Sequence, residues 1–190
     1  MGLTVRFLVA LSLCVFSAIP AFAQKRTYKV LATNKTSTME RELRDAGAQG
    51  FRFVDVMGGD TEGGGQEVVV VMERRDGDAT KYEYRLLATS RTSTLEKEMQ
   101  DAAATGFNVV GQTVFNSTFG GAESSAILEK GVSTADRYEY RLIATSRTST
   151  LEKELQQAAD QGYEAMELTV GKTALGGSEL VVIARKLKLR

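Results

Sequence analysis

A hydroxyl-rich turn carries the residues of this chain that are best suited to bind a small ligand. Residues 89–94 contain threonines, serines and one arginine, and residues 145–150 repeat the same sequence. Hydroxyl groups, a forked guanidinium and the N–H groups of a helix start together attract phosphate, sulfate or carboxylate. The alternative is that this turn serves only to cap a helix. The predicted anion-binding residues are Arg91, Thr92, Ser93, Thr94, Arg147, Thr148, Ser149 and Thr150.

Several common catalytic groups are missing from the sequence. It has no histidine, and its one cysteine, Cys14, lies in an apolar leader. The rest of the chain therefore offers no imidazole base, thiolate nucleophile, disulfide or sulfur ligand for zinc. Lys plus Arg and Asp plus Glu both number 24, so the net charge does not favour nucleic acid. We predict a protein that is not an enzyme and needs no cofactor or metal. A hydrolase that uses only carboxylates and hydroxyls is the alternative.

Three other segments resemble chemical motifs without matching them. Residues 171–173, Gly-Lys-Thr, resemble the end of a phosphate-binding loop, but Met166 stands where that loop needs its first glycine. Residues 58–65 are rich in glycine but lack the alternating acidic ligands of a calcium loop. Glu96 and Glu98 are two apart on a predicted helix, so they point to different sides and do not form an acid–base pair. We interpret all three as ordinary loop or surface residues.

The chain contains three copies of one sequence unit, each offset by 56 residues from the last. Tyr28, Tyr84 and Tyr140 are equivalent, and the same offset aligns threonines, glycines and glutamates further along. Residues 82–99 and 138–155 are identical at 16 of 18 positions. Self-similarity at a fixed period predicts a tandem array of one small fold. The predicted boundaries are residues 1–23 for a leader and 24–79, 80–135 and 136–190 for the modules.

Each module is predicted to contain one helix and three strands in the order βαββ. In the second copy, residues 82–89 alternate between two faces as a strand does. Ser93 and Glu96 are predicted to be the N-cap and the N3 acid of a capping box, before an apolar stripe with helical spacing. Gly106 is predicted to end the helix in the left-handed conformation, with Phe107 packing back onto the last turn.

The last strand of each module is the most apolar, and its apolar residues fall on both faces. A right-handed crossover followed by a hairpin places this strand in the middle of a three-stranded, mainly antiparallel sheet. The helix covers one face, so the other face needs a second cover. Because a unit of this size is marginally stable alone, we predict that the modules pack on one another or that the protein forms a homo-oligomer. The predicted fold class is therefore α+β, with each helix packed on a three-stranded sheet.

The amino-terminal segment has the pattern of a secretory signal. Arg6 supplies a positive charge, residues 7–19 are apolar, and residues 21–23, Ala-Phe-Ala, fit a cleavage site. This pattern predicts a mature chain that starts at Gln24 and a periplasmic or secreted location. The apolar run of 13 residues is shorter than the roughly 20 that span a bilayer, so we expect no transmembrane segment after cleavage. The residue before Cys14 is too bulky for a lipoprotein signal.

Three motifs recur in the second and third modules and, in altered form, in the first. They are a Tyr-x-Tyr-x-Leu first strand, a Leu-Glu-x-x-Leu or Leu-Glu-x-x-Met helix, and a glycine–aromatic junction that reads Gly106-Phe107-Asn108-Val109-Val110 in the second copy. Together they resemble a family of small bacterial βαββ domains of unknown function, in which the junction reads Gly-Trp-Glu-Leu-Val. Phenylalanine or tyrosine replaces that tryptophan in all three copies here. The resemblance covers nearly the whole mature chain and implies the fold, but it implies no activity.

These observations favour an exported, non-enzymatic binding or structural protein that acts through its repeated module surfaces. Its partner is expected to be an unknown protein or a small anion, and not nucleic acid. A second hypothesis, from a different class, is an inhibitor or assembly partner of an exported enzyme.

Overall fold

The structure is a computed structural model, and it describes residues 25–62, 65–117, 121–131, 137–172 and 177–188. The predicted leader and its cleavage site lie outside these residues, as do parts of the predicted glycine-rich loops. Within the described ranges the chain forms three βαββ modules in an α+β fold, as predicted. None of the described helices is long and apolar enough to cross a membrane.

The three modules repeat the same order of elements. The first contains β1 (Arg26–Thr33), α1 (Thr36–Ala48), β2 (Arg52–Thr61) and β3 (Gly65–Arg75). The second contains β4 (Tyr82–Thr89), α2 (Thr92–Ala104), β5 (Asn108–Ser117) and β6 (Gly121–Gly131). The third contains β7 (Tyr138–Thr145), α3 (Thr148–Asp160), β8 (Glu164–Lys172) and β9 (Ser178–Leu187).

Each sheet is antiparallel, and the last strand of the module lies in its middle. The strand orders are β1-β3-β2, β4-β6-β5 and β7-β9-β8, which confirms the predicted topology. The second strand carries one extra residue in every sheet, at Val54, Val110 and Met166. Such a bulge bends the strand and increases its twist. The bulge recurs at the same repeat position, so the three sheets share one shape.

All three helices end as the sequence predicts. Gly106 has a φ of 91°, in the left-handed region that favours glycine. The N–H of Phe107 donates to the carbonyl of Ala102 over 3.2 Å, and the N–H of Gly106 donates to the carbonyl of Ala103 over 3.0 Å. This pair of hydrogen bonds is the Schellman motif, and α1 and α3 end with the same pair.

The predicted capping box is wrong. The helix α2 begins at Thr92 with Arg91 as its N-cap, so Ser93 lies inside the first turn. The N-cap side chain makes no capping hydrogen bond. Glu96 accepts a hydrogen bond of 2.8 Å from the backbone N–H of Leu142 in the next module. Its carboxylate therefore forms a hydrogen bond between modules two and three and does not cap the start of its own helix.

Each module shares its hydrophobic core with the module that follows it. The first core combines Leu43 of module one with Tyr84 and Ile127 of module two. The second core belongs mainly to module two, and Tyr140 and Ile183 of module three join it. The third core is formed by residues of module three alone. The second cover predicted for each apolar sheet is therefore the preceding module, and this cover exists at two places among the described residues.

Candidate functional site

The two junctions between modules have the same construction. At the first junction α1 packs on β4, and β2 packs on β5. At the second junction α2 packs on β7, and β5 packs on β8. The helix and second strand of one module thus contact the first and second strands of the next. The first and last modules each have one of these two contact surfaces left over.

A buried tyrosine lies at the centre of each junction. Tyr84 and Tyr140 are each only 1% exposed. The Tyr84 Oη accepts a hydrogen bond of 2.8 Å from the backbone N–H of Phe53, and the Tyr140 Oη accepts one of 2.9 Å from that of Val109. Burial raises the pKa of both phenols above their ordinary range. Both tyrosines therefore stay protonated and act as fixed hydrogen-bonding groups.

An ionic network strengthens the first junction. The Tyr84 hydroxyl donates to Glu129 Oε2 over 2.7 Å, and Arg52 Nε of module one donates to Glu129 Oε1 over 3.1 Å. Glu129 is only 6% exposed, and its charge raises the pKa of the Arg52 guanidinium. At the second junction the equivalent of Glu129 is Arg185, which pairs with Glu164 of its own sheet. The network therefore belongs to one junction, while the tyrosine belongs to both.

Small residues allow the modules to approach closely. A Cβ at Gly47 would stand 2.3 Å from the carbonyl oxygen of Tyr82 and 2.8 Å from the ring of Tyr84. A Cβ at Gly111 would stand 2.4 Å from the ring of Phe53. Real Cβ atoms do not approach at such distances, so a side chain at Gly47 would force the backbone of β4 to shift, and one at Gly111 would displace the tip of the Phe53 ring.

Polar side chains of each helix reach the first strand of the next module. Arg44 Nε donates to the carbonyl oxygen of Tyr84 over 3.4 Å. At the equivalent place in the second junction, Gln100 Nε2 donates to the carbonyl oxygen of Tyr140. These bonds to the backbone set the register between helix and strand.

The first module exposes a surface that is buried in the other two. We call it the head surface and define it by Tyr28, Val30, Val54 and Met57. Tyr28 is 58% exposed, although its equivalents are 1% exposed, and Val30 and Met57 are 62% and 65% exposed. Tyr28, Val30 and their paired residues on β3 lie on the face of the sheet that points away from α1. Among the described residues, the head surface is therefore a junction half that no other module covers.

The third module exposes the complementary surface. We call it the tail surface and define it by Leu155, Ala159, Ala165, Leu168 and Val170 of α3 and β8. Leu168 and Val170 are 62% and 60% exposed. Among the residues that the structure describes, seven large apolar side chains are exposed, and six of them lie on the head or the tail surface. Exposed apolar area is therefore concentrated at the two ends of the array.

A polar cleft of about 510 Å³ lies where β2, β5 and β8 come together. Its lining includes Gln112, Thr113 and Glu167. Burial, and secondly the charge of Asp55, raise the pKa of Glu167. Gln112 is 6% exposed, and its Oε1 has no hydrogen-bond partner among the described residues. The lining combines an amide, a hydroxyl and a carboxyl, all of which can form hydrogen bonds with a polar group.

The predicted anion-binding residues stand at the starts of α2 and α3. Arg91 and Arg147 are exposed N-cap residues. Their backbone N–H groups donate to the hydroxyls of Thr89 and Thr145, over 3.2 and 3.4 Å. Anion binding here stays a prediction. The remaining residues of the two turns, which are exposed or partly buried, are Thr92, Ser93, Thr94, Thr148, Ser149 and Thr150.

No protein-family model, curated protein or solved structure matches the chain. The family resemblance drawn from the repeat motifs therefore stays a prediction. Within the described ranges, no group of three or more His, Cys, Asp and Glu side chains is placed to hold a metal ion. The head and tail surfaces are the largest exposed apolar features among the described residues.

Proposed function

We propose that this chain is an exported, non-enzymatic structural or binding protein that acts through its head and tail surfaces. The observation that carries the proposal is the difference between three equivalent tyrosines. Tyr84 and Tyr140 are 1% exposed inside junctions, whereas Tyr28 is 58% exposed. The tyrosine at this repeat position is therefore buried in an interface in the second and third modules and exposed to solvent in the first.

The composition of the head surface suits protein binding. Tyrosine is enriched in the energetic centres of interfaces, because it combines a large apolar ring with a polar tip. Exposed apolar patches that are rimmed by polar residues mark interaction sites. Arg26 and Glu73 form an ion pair of 3.2 Å, and Glu73 pairs with Tyr28 in the sheet register. The head surface therefore has an apolar centre and a charged rim.

The polar groups of the junctions support a non-enzymatic role. Arg52 of module one donates to Glu129 of module two, and Glu129 also accepts from Tyr84 of its own module. Catalytic groups need access to a substrate and a partner that moves a proton. These three side chains are instead occupied in joining two modules.

The proposal of export rests on the leader sequence. The intact mass of the protein from its producing cells should correspond to a chain that starts at Gln24. A mature chain that retains Met1, or one that carries lipid on Cys14, would contradict export by signal cleavage.

Affinity capture tests binding through the two ends. The chain is immobilised and exposed to an extract of the compartment in which it resides, and the variants Tyr28→Arg and Leu168→Asp are compared with it. Lys97→Asp, on the exposed side of α2, is the matched control. We expect recovery of the bound protein to fall with either end variant and to persist with the control. Equal recovery by all four proteins would refute the proposed role of the ends.

An activity screen tests the alternative of a hydrolase. The purified chain is assayed against generic ester, phosphate and glycoside substrates. We expect no turnover above the background reaction. Turnover that co-purifies with the chain and disappears with Glu167→Gln would contradict a non-enzymatic role.

A further inference from the structure

We infer that the partner of the head surface is the tail surface of a second copy of this chain. This inference rests on the proposed function and names the partner within it. The two internal junctions already join a helix and second strand to the first and second strands of the next module. A contact between two copies would continue that series with the same elements, α3 and β8 on one side and β1 and β2 on the other.

The hydrogen-bonding groups at the open ends match those at the internal junctions. At both internal junctions a tyrosine Oη accepts from a backbone N–H of the preceding second strand, over 2.8 Å at Tyr84 and 2.9 Å at Tyr140. The equivalent acceptor on the head surface is the Oη of Tyr28. The equivalent donor on the tail surface is the backbone N–H of Ala165, by the 56-residue offset.

Two side chains at the centre of the contact change size in opposite directions between the first junction and the open ends. At the first junction the ring of Phe53 fills the space over Gly111. At the open ends the equivalents are Ala165 on the tail and Asp55 on the head. The tail residue is smaller than Phe53, and the head residue is larger than Gly111. The larger head residue thus offsets part of the volume lost at the smaller tail residue.

The helix of the tail surface carries the groups that its equivalent uses. Ala103 of α2 is 4% exposed at the second junction, while its equivalent in α3, Ala159, is exposed. Gln100 donates to the carbonyl oxygen of Tyr140. Its equivalent in α3 is Gln156, also a glutamine, whose Nε2 donates to Asp160 Oδ1 of the same helix over 3.1 Å in the single chain. The tail helix is therefore equipped to bind the first strand of another module.

The two ends of one molecule do not cover each other. Tyr28 is 58% exposed and Leu168 is 62% exposed in the single chain. A contact between unlike surfaces closes into a ring when the rotation between copies permits it, and otherwise extends into a filament. Either assembly buries both surfaces, and both depend on the same head-to-tail contact.

Sedimentation of the purified chain, as its cells process it, tests the contact. The measurement covers protein concentrations from about 1 µM to about 100 µM, the range of transient interfaces. We expect the wild-type chain to associate as concentration rises. Tyr28→Arg disrupts the head surface, and Leu168→Asp disrupts the tail surface. Each should raise the dissociation constant of the contact by at least about 30-fold. Tyr28→Phe, which removes only the hydroxyl, should weaken it by about fivefold.

Mixing the two end variants gives the sharpest result. The Tyr28→Arg chain keeps its tail, and the Leu168→Asp chain keeps its head. Each should be monomeric alone, and the mixture should form a 1:1 complex that does not grow further. Thermal melting of each variant should match that of the monomeric wild type, since both residues are more than half exposed.

Two outcomes would overturn the inference. One is a wild-type chain that stays monomeric up to the highest concentration. The other is association that survives in either single variant, which would indicate a contact between like surfaces. If the chain is monomeric yet captures another protein through Tyr28, the proposed function stands and the self-assembly fails. If no protein is captured and the chain still assembles through both ends, a structural role remains and binding of a foreign partner is refuted.

Discussion

The hydroxyl of Tyr84 accepts a hydrogen bond of 2.8 Å from the backbone N–H of Phe53, and so ties the second module to the bulged strand of the first. The same hydroxyl donates to the carboxylate of Glu129 over 2.7 Å. A single phenol oxygen therefore satisfies one buried donor and one buried acceptor at the junction. Because a buried group without a partner costs more than a hydrogen bond gains, this oxygen should matter for stability.

Tyr84→Phe should lower the free energy of unfolding by about 1–3 kcal/mol, because it leaves the Phe53 N–H and the Glu129 carboxylate without this partner. Urea denaturation at neutral pH measures the loss, at a concentration where the chain is monomeric. Tyr28→Phe is the matched control, since Tyr28 is 58% exposed. It should change stability by no more than about 0.5 kcal/mol. Equal losses in the two variants would contradict the role of the junction.

Gly47→Ala should destabilise the chain although alanine is the better helix former. In an open helix this change gains about 1 kcal/mol. Here the new Cβ would meet the carbonyl oxygen of Tyr82 at 2.3 Å, and overpacking of this kind costs about 1–3 kcal/mol. The free energy of unfolding should therefore fall. Ala159→Gly, at the exposed equivalent position of α3, should show only the loss of about 1 kcal/mol that helix propensity predicts. A more stable Gly47→Ala chain would show that the junction can open at little cost.

Glu167→Gln should stabilise the chain at neutral pH, with an advantage that disappears in acid. The folded-state pKa of Glu167 is raised, so the folded form penalises the charged carboxylate. Its favourable contribution is fully present below the unfolded pKa near 4.5 and is lost as pH rises through the folded pKa. Unfolding free energies at pH 7 and below about pH 4 test this sign. A stability difference that grows in acid would contradict it.

Asp55→Asn offers a graded version of the same experiment. Burial is the larger cause of the raised Glu167 pKa, and the charge of Asp55 is the smaller one. NMR titration of Glu167 in this variant should show a pKa that moves only part of the way back to the ordinary value. A complete return would show that Asp55, and not burial, dominates.

The isolated second module, residues 80–135, should be unstable or should self-associate. It loses the preceding helix that covers Tyr84 and the following strand that covers Met99, and both side chains are fully buried in the chain. Circular dichroism and sedimentation measure these two outcomes. A fragment of residues 24–135, which keeps the first junction, should be the more stable of the two. A monomeric single module that melts like the whole chain would show that the modules are independent.

The 56-residue repeat in the sequence predicts most of the fold. It predicts three modules, and the both-sided apolar character of the last strand predicts its central place and the need for a second cover. The helix ends are also predictable, because a glycine followed by an aromatic residue at the end of a helical pattern is typical of a helix C-terminus. These features depend on local sequence and on the simple geometry of sheets.

The predicted capping box is wrong because the partner of Glu96 lies outside its own module. Glu96 has the right spacing for a capping box, yet its carboxylate bonds to the N–H of Leu142 in the next module. Sequence reasoning within one copy does not include that partner. Glu129 was missed for a related reason, since its equivalents are Glu73 and Arg185 and the repeat gives it no distinct signal. Its one sign in the sequence is that it directly follows the apolar residues 126–128 of the central strand.

The exposure of Tyr28 could not be predicted from its surroundings in sequence. Tyr84 and Tyr140 occupy nearly identical strands that are covered by a helix of another module, and no helix of another module packs on Tyr28 among the described residues. Burial of these tyrosines is decided by the neighbouring unit and not by the strand. The candidate site therefore follows from the position of a copy in the array.

The shared cores give the chain a direction in which it can fold. Arg44 of α1 bonds to the carbonyl of Tyr84, 40 residues further along the chain. During synthesis from the amino terminus, α1 emerges before the strand that covers it, and each new module completes the one made earlier. The helix α2 of module two is not covered until β7 has been made. Growth of the polypeptide therefore leaves the uncovered helix at its most recent end, and a ribosome that pauses before β4 has emerged would hold α1 exposed for the length of the pause.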